Sequence, residues 1–350
     1  MPDIPDPFVH RSHWSVPEPR WDLYQNNDSI WQAVFEQCDA AERSIELEQY
    51  IFETKGVGGR LLDLLAAKAR KGVDVRILAD AFGSHGLPRS DAGRRVCRAG
   101  GQIALYNGAG RFLRRPIRSA RRLHRKTLIC DRAQVMVGGS CYADRMTNWR
   151  DTVIRIDGPL PWAIASEFER AWLDAHDGVI DNAPPEIDEG ASLEHRWSYA
   201  VSGPFVRSEP NLRETVPKKI SGAQQSVYLT TPYLFPDRRL WRALTGAARR
   251  GVKVSILMPA RSDHRVVDTI GHRFAHALQR RGVEVRGYTA GMLHAKVALI
   301  DGHWSSVSSF NLDLLSCRLN LESGVFSTSP QLYQALAARM DEDLASSQRL

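Results

Sequence analysis

The sequence predicts an α/β protein built from two pseudo-symmetric halves, each a mostly parallel β-sheet flanked by helices. An internal repeat, the hydrophobic periodicity within each copy, and a glycine at the end of each predicted helix support this prediction. A strand–helix–strand order is typical of βαβ units, whose strands run parallel. The copies lie about 180 residues apart, too far for a solenoid repeat, so the repeat indicates two domain-like halves.

Each half begins with a predicted strand, SIELEQYIF from Ser44 and SVYLTTPYLF from Ser226. An amphipathic helix follows, and it ends at Gly72 in the first half and at Gly251 in the second. Glycine is favoured just after a helix because it adopts a positive φ without steric cost. A second strand follows at once in each copy, VDVRILA and VKVSILM, and completes the βαβ order.

The composition of the first residues and of the segment between the halves predicts the domain boundaries. The first twenty residues carry five prolines, which indicate an extended N-terminal arm over 1–20. The stretch DGVIDNAPPEIDEGAS is polar and contains adjacent prolines, which is typical of a junction. We therefore predict a first half over 21–180, a linker over 181–200 and a second half over 201–350.

Charge and cysteine usage narrow the class of protein and its partners. Hydrophobic residues make up 43% and charged residues 25% of the 350 residues, which excludes a disordered chain and a collagen-like fibre. The net charge of +7 favours an anionic partner, either phospholipid, nucleic acid or phosphate ester. Five scattered cysteines predict a reducing compartment. We expect no transmembrane helix, since no 18-residue apolar run occurs, and no secretory signal, because the N-terminal residues do not run from basic to apolar.

The third repeated element carries the residues suited to chemistry. It reads LHRKTLICD from Leu123 and LHAKVALID from Leu293, so the pattern His-x-Lys-x-x-x-x-Asp occurs twice. Residues two apart on a strand project from the same face, so each half presents a histidine beside a lysine. If the halves face each other, these side chains converge on one active site at the seam. The predicted catalytic set is His124, Lys126, Asp131, His294, Lys296 and Asp301.

Two imidazoles and two ammonium groups suit displacement at a phosphodiester phosphorus. One histidine attacks the phosphorus while the other protonates the leaving oxygen, and both roles are accessible to imidazole near neutral pH. The lysines neutralise charge on the non-bridging oxygens. The sequence therefore predicts no metal and no other cofactor.

The duplicated motif resembles the signature of the phospholipase D superfamily, and the closest resemblance is to bacterial cardiolipin synthases. The segments 149–159, 230–263 and 308–324 carry the narrower likeness. The resemblance implies two phospholipase D-like halves and a phosphatidyltransferase that moves a phosphatidyl group between anionic phospholipids through a covalent phosphohistidine. It assigns His124 as the nucleophile and His294 as the acid–base, although pseudo-symmetry allows the roles to exchange.

The same resemblance implies roles for residues around the motifs. It places Asn311, Ser309, Ser140 and Gly139 at the substrate phosphate, Glu322 and Asp151 as carboxylates that orient a histidine, and the two motif aspartates as strand-end supports. One position departs from the pattern. Cys141 stands where the first half would carry the counterpart of Asn311, and a thiol is a weaker donor than an amide.

The predicted partners are an anionic phospholipid and a membrane surface, with the protein cytoplasmic and peripheral on the inner face of the cell membrane. The run RFLRRPIRSARRLHRK, which ends at Lys126, interleaves basic and apolar residues as interfacial segments do. Two alternatives stay open: a hydrolase, either a phospholipase D or a phosphodiesterase acting on nucleic acid, and a non-enzymatic phosphate-binding module. Nucleic acid is the less favoured partner, and the sequence leaves the oligomeric state open.

Overall fold

The computed structural model describes residues 18–107, 121–158, 160–176, 196–203 and 211–350. The chain divides into two compact units. The N-terminal unit contains the described residues between 19 and 176 together with residues 291–295. The C-terminal unit contains residue 18 and the described residues of 196–290 and 296–350. Most of the predicted N-terminal arm and of the predicted linker lies outside the described residues.

The N-terminal unit has a seven-stranded sheet with the order β1-β7-β6-β5-β2-β3-β4. Its strands are β1 (Arg20–Asn26), β2 (Ser44–Gln49), β3 (Asp74–Asp80), β4 (Gln102–Tyr106), β5 (Thr127–Cys130), β6 (Gln134–Gly138) and β7 (Arg150–Asp157). Its helices are α1 (Asn27–Ala40), α2 (Gly56–Arg70), α3 (Asp91–Arg98) and α4 (Leu160–Ala175). Short 3₁₀ turns cover Leu87–Arg89 and Asp144–Met146.

The C-terminal unit has an eight-stranded sheet with the order β17-β12-β11-β9-β13-β14-β16-β8, and a two-stranded pair, β10-β15. Its strands are β8 (Trp197–Ser202), β9 (Ser226–Thr230), β10 (Leu234–Phe235), β11 (Lys253–Pro259), β12 (Glu284–Tyr288), β13 (Val297–Ile300), β14 (Trp304–Ser308), β15 (Leu312–Asp313), β16 (Glu322–Ser327) and β17 (Ser347–Arg349). Its helices are α5 (Leu212–Gly222), α6 (Arg238–Arg249), α7 (Arg265–Gln279), α8 (Leu314–Arg318) and α9 (Pro330–Ala345).

The predicted α/β class with two repeated halves is confirmed, but each sheet is mixed rather than mostly parallel. In the N-terminal unit only β2-β3 and β3-β4 pair in parallel, and in the main sheet of the C-terminal unit only β9-β11 and β11-β12 do. Tight turns cause the difference, because the strand after each motif returns at once as an antiparallel hairpin, β5-β6 and β13-β14. The βαβ pattern predicted the parallel strands and gave no information on these hairpins.

Glycines end the first helix of each repeat, as predicted. Gly72 follows α2 with a φ of +90°, and Gly251 follows α6 with a φ of +89°. Leu61, Leu62 and Leu65 of α2 are fully buried in the core of the N-terminal unit. The counterpart leucines of α6, Leu240 and Leu244, are fully buried in a separate core in the C-terminal unit. The apolar stripe of each helix therefore attaches it to the sheet of its own unit.

Each motif aspartate forms hydrogen bonds that connect the end of its own strand to the start of a neighbouring strand. Asp131 accepts hydrogen bonds from the backbone N–H groups of residues 42–44 at 2.7–2.9 Å, just where β2 begins. Asp301 accepts the equivalent three bonds from residues 224–226 at 2.8–2.9 Å. Burial opposes ionisation, but the three N–H donors more than offset it, so the pKa of each carboxyl is lowered.

We expect Asp301→Asn to lower the free energy of unfolding by about 1–3 kcal/mol, because an amide oxygen cannot accept all three N–H bonds. A carboxyl whose pKa is lowered by folding stabilises the protein above its unfolded pKa and loses that effect as pH falls through the folded pKa. The variant should therefore lose less stability than the wild type below about pH 4. Urea titrations at pH 7 and pH 3 measure both effects. Equal midpoints for the two proteins at pH 7 would contradict the supporting role.

Candidate functional site

Both motif histidines belong to the N-terminal unit. His124 lies just before β5, while His294 is carried by the five residues 291–295 of the second repeat. The backbone N–H of Arg150 donates to the carbonyl of Met292 at 2.9 Å, and that of His294 donates to the carbonyl of Arg150 at 2.7 Å. Leu293 and Arg150 thereby form a parallel bridge. The second motif is thus attached through its backbone to the start of β7.

The strand register places the first motif and β7 at one edge of the sheet. Thr127 at the start of β5 pairs with Val137 near the end of β6, and Gly138 pairs with Val153 near the start of β7. The residues just before β5, just after β6 and at the start of β7 therefore lie side by side. His124, Gly139 and Asp151 occupy these three places.

The strongest side-chain contact at this edge joins Asp151 to His294. The Nδ1 atom of His294 donates to Oδ2 of Asp151 at 2.6 Å, and the side chains are 8% and 1% exposed, respectively. The other carboxylate oxygen accepts the backbone N–H of Thr152 at 2.7 Å. A carboxylate on Nδ1 fixes the tautomer of the imidazole and stabilises its protonated form, so Nε2 is the atom left for chemistry. Asp151 contacts the histidine of the second motif, although it lies 27 residues after His124 in the sequence.

Gly139 is needed for this contact. A Cβ atom at position 139 would lie 2.4 Å from Oδ1 and 2.8 Å from Oδ2 of Asp151. Only glycine leaves room for the buried carboxylate there. The sequence placed Gly139 at the substrate phosphate, and the structure shows that its immediate neighbour is the carboxylate that contacts His294.

An aromatic ring packs against each histidine. The ring of Tyr50, just after β2, lies edge-on to His124 with centroids 5.1 Å apart. The ring of Trp149 lies 5.0 Å from that of His294. These contacts restrict the rotation of both imidazoles. Sequence reasoning missed Tyr50, although its place at the end of the strand beside β5 could have indicated it.

The first-motif lysine contacts the same tyrosine. The Nζ atom of Lys126 donates to the carbonyl of His124 at 2.7 Å and lies 5.4 Å from the centroid of the Tyr50 ring. The lysine and the histidine are both buried. A buried ammonium group beside a histidine is suited to attracting a phosphate oxygen.

Two buried carboxylates form hydrogen bonds with residues of the first motif. Asp80, at the end of β3, accepts the backbone N–H of Leu123 at 2.8 Å, immediately before His124. Glu48 in β2 accepts from the guanidinium of Arg125 at 3.3 Å, and both side chains are almost fully buried. Burial raises the pKa of Asp80 and of Glu48. Sequence reasoning missed these supports because their partners are distant in the chain.

In the C-terminal unit, Glu322 is fully buried at the start of β16. It accepts hydrogen bonds from the hydroxyls of Ser309 at 2.5 Å and Ser316 at 2.6 Å. Asn311 is buried next to this network, and its backbone N–H donates to the hydroxyl of Ser316 at 3.3 Å. The structure therefore brings Ser309, Asn311 and Glu322 together within one unit. Ser316, which sequence reasoning missed, links them.

Lys296 lies at the opposite end of β13 from Asp301. It is buried, and its carbonyl accepts the backbone N–H of Ser308 at 3.1 Å. That bond continues the β13-β14 ladder toward Ser309. Lys296 therefore lies just before β13 and beside the end of β14, from which the chain continues to Ser309 and Asn311.

The first-half counterpart of this network is built differently. The hydroxyl of Ser140 donates to Oδ1 of Asn27 at 2.7 Å. Cys141 is buried, and its carbonyl accepts the indole N–H of Trp31 at 3.1 Å. Ser140 and Cys141, which follow β6, thus attach this end of the sheet to α1. The predicted departure from symmetry at Cys141 is visible as a different local framework.

Other predictions concern the basic run, membrane spans and metals. Residues 111–120 of the basic run lie outside the described residues. No helix in the described part of the chain is long and apolar enough to cross a membrane. Within those same residues, no group of three or more histidine, cysteine or acidic side chains is arranged to hold a metal ion.

Comparison with known proteins gives consistent sequence matches. Residues 34–172 and 216–344 match the family described as cardiolipin synthase, phospholipase D-like domain. The chain is similar to the probable cardiolipin synthase YwiE of Bacillus subtilis, at 30% identity over 341 residues, which cover 94% of this chain and 66% of that protein. It is also similar to cardiolipin synthase A of Pseudomonas aeruginosa, at 33% identity over 334 residues, which cover 93% of this chain and 67% of that protein. The chain thus spans about two thirds of the length of these relatives.

A solved structure supports the fold assignment alone. The phosphatidylserine synthase of Haemophilus influenzae superposes with a TM-score of 0.72 at 14% sequence identity. The match covers 97% of this chain and 89% of that one. The arrangement of helices and strands described above is therefore found in another protein of distant sequence.

We expect Gly139→Ala to displace the Asp151 carboxylate and break its hydrogen bond to His294, because the added Cβ would overlap both carboxylate oxygens. Nitrogen-15 NMR of the labelled histidine ring measures this, since the hydrogen-bonded Nδ1–H has a distinct chemical shift. Gly86→Ala is the matched control, because no atom lies within 4 Å of a Cβ at that position. An unchanged His294 spectrum in the Gly139 variant would contradict this role.

Proposed function

Because the chain belongs to the family of cardiolipin synthase, phospholipase D-like domains, we propose that it is a phosphatidyltransferase of the cardiolipin synthase type. It would transfer a phosphatidyl group from one anionic phospholipid to the hydroxyl of another through a covalent phosphohistidine. The observation that carries the proposal is the hydrogen bond of the second-motif histidine, His294, to the buried carboxylate of Asp151. The names of the relatives agree with this activity.

In the first step, Nε2 of His124 attacks the phosphorus of the donor lipid and forms a P–N bond. The P–O bond to the leaving glycerol breaks, and protonated His294 gives its proton to the leaving oxygen. The contact with Asp151 supports this acid–base role, because a carboxylate on Nδ1 stabilises the imidazolium form. In the second step, neutral His294 takes the proton of the acceptor hydroxyl, whose oxygen attacks the phosphorus and expels His124.

The remaining predicted residues act on the phosphate or hold the histidines. Lys126 and Lys296 would neutralise the non-bridging oxygens, and Ser309 and Asn311 would donate to them. The burial of both lysines favours this role, since electrostatic attraction is stronger away from water. We propose that Glu322 and Asp151 orient the histidines, while Asp131 and Asp301 support the strands. Ser140 and Gly139 would shape the first-half side of the phosphate site.

We propose a peripheral location at the inner face of the cell membrane, where the anionic phospholipids are substrates. The cationic surplus of the chain supports this, because basic residues near an anionic surface each contribute about 1 kcal/mol of attraction.

We expect His124→Asn and His294→Asn each to lower phosphatidyl transfer at least about 10²–10⁴-fold, because each removes a nucleophile or an acid–base group. Mass spectrometry of the products from phosphatidylglycerol in mixed detergent micelles measures the transfer. The control is His303→Asn, in the hairpin turn at the other end of β13. A wild-type protein that releases phosphatidic acid, or cleaves single-stranded DNA, without forming a diphosphatidyl lipid would favour a hydrolase. Near-normal transfer by both variants would end the proposal.

We expect Asp151→Asn to lower transfer about 10²–10⁴-fold, because an amide cannot stabilise the imidazolium form of His294. If Asp151 acts only through His294, the double variant Asp151→Asn/His294→Asn should be no slower than His294→Asn alone. Turnover numbers of the four proteins, measured as a cycle, test this. Additive losses would show that Asp151 has a role independent of His294.

A further inference from the structure

Four of the six large apolar side chains exposed in the described part of the chain lie in the C-terminal unit. Val266 and Ile270 are 74% and 37% exposed on α7, and Leu315 and Leu319 are 56% and 37% exposed at α8. Single exposed apolar residues are ordinary in soluble proteins, but a group of them on one surface marks an interaction site.

Both helices adjoin the two-stranded pair β10-β15. Helix α7 packs on β10, where the rings of Phe235 and Phe274 lie 4.9 Å apart. Strand β10 pairs in parallel with β15, with Leu234 opposite Leu312 and Phe235 opposite Asp313. Helix α8 begins at the next residue, Leu314. The exposed residues of α7 and α8 therefore flank one two-stranded pair.

Exposed arginines lie within a few residues of these apolar side chains in the sequence. Arg261, Arg265, Arg273 and Arg318 are all exposed, and among the described residues none of them forms an ion pair. The two aspartates near the start of α7 are engaged locally. Asp263 accepts the hydroxyl of Tyr233 at 2.7 Å, and Asp268 accepts the backbone N–H of Ser262 at 3.0 Å. We call Val266, Ile270, Leu315 and Leu319 with these four arginines the apolar–basic surface.

The apolar–basic surface adjoins the proposed phosphate-binding residues of the same unit. On α8, Ser316 is fully buried and donates to Glu322 at 2.6 Å, while the preceding Leu315 points to solvent. The backbone N–H of Asn311 also contacts Ser316. The exposed Leu315 and the buried Ser316 are consecutive, so whatever covers the surface lies next to the proposed phosphate site.

We infer that the apolar–basic surface docks on an anionic phospholipid bilayer, with the four apolar side chains entering the headgroup region and the arginines at its phosphates. The choice of partner rests on the proposed function, whose substrates are anionic lipids. Charge complementarity supports a bilayer, because interleaved apolar and basic residues are what interfacial binding requires.

Sedimentation of the full chain with vesicles tests the inference. The wild type should bind vesicles of phosphatidylglycerol and phosphatidylcholine, bind pure phosphatidylcholine more weakly, and lose affinity as salt rises. We expect Ile270→Glu/Leu315→Glu to weaken binding at least about tenfold, because two apolar side chains no longer enter the membrane. Arg265→Gln/Arg273→Gln should weaken it about fivefold for each cation removed.

The matched control is Trp162→Glu, which changes an exposed apolar residue of the N-terminal unit and should bind as the wild type does. Circular dichroism establishes that each variant is folded. Wild-type binding by the apolar variant, or an equal loss in the control, overturns the inference. So does a loss of self-association in sedimentation velocity without a loss of vesicle binding, because a second copy of the chain would then be the partner.

Failure of the proposed function is detected separately. The wild-type transfer assay uses mixed detergent micelles, which contain no bilayer, whereas sedimentation needs no turnover. Absent transfer with the expected pattern of vesicle binding would refute the function and support the surface. Normal transfer, with unaltered vesicle binding by the apolar and arginine variants, would support the proposed function and refute the surface.

Discussion

The contact between Asp151 and His294 is the interaction on which the proposed chemistry depends. It joins residues 143 positions apart, it is buried, and it engages Nδ1 of the second-motif histidine. A carboxylate buried to this degree is costly unless it is paired. The backbone bonds of Arg150 to residues 292 and 294 hold the pair in register, and the absence of a side chain at Gly139 gives it room. Two backbone hydrogen bonds and one glycine thus serve this single contact.

Different side-chain contacts position the first motif. The backbone N–H of Leu123 donates to the Asp80 carboxylate, and the guanidinium of Arg125 donates to the buried Glu48. In the second repeat, Ala295 takes the place of Arg125 and Thr230 that of Glu48. There, the Thr230 hydroxyl accepts the backbone N–H of Val297 at 2.9 Å. The halves therefore share the reactive residues and differ in the charges that position them, and such a difference allows two identical side chains to take distinct roles.

The sequence predicted those features whose causes are local. Helix ends at Gly72 and Gly251 and the α/β repeat depend on nearby residues, and they are confirmed. The strand predicted for each motif begins only after its lysine, at Thr127 and at Val297, so the histidines and lysines precede the strands. The antiparallel hairpins were missed because apolar strands look alike whichever direction their neighbours run. Asp80, Glu48 and Tyr50 were missed because each contacts its motif only through sheet pairing with a distant segment. The family resemblance is confirmed, yet spacing alone did not indicate that Asp151 contacts His294.

The exchange of residues 291–295 into the N-terminal unit has a physical consequence for the repeat. The end of the N-terminal sheet fixes the orientation of His294, while Lys296, two residues later, belongs to the C-terminal unit and lies just before β13. The orientation of the second-motif histidine therefore depends on Asp151 and Gly139 of the first repeat rather than on residues of its own repeat.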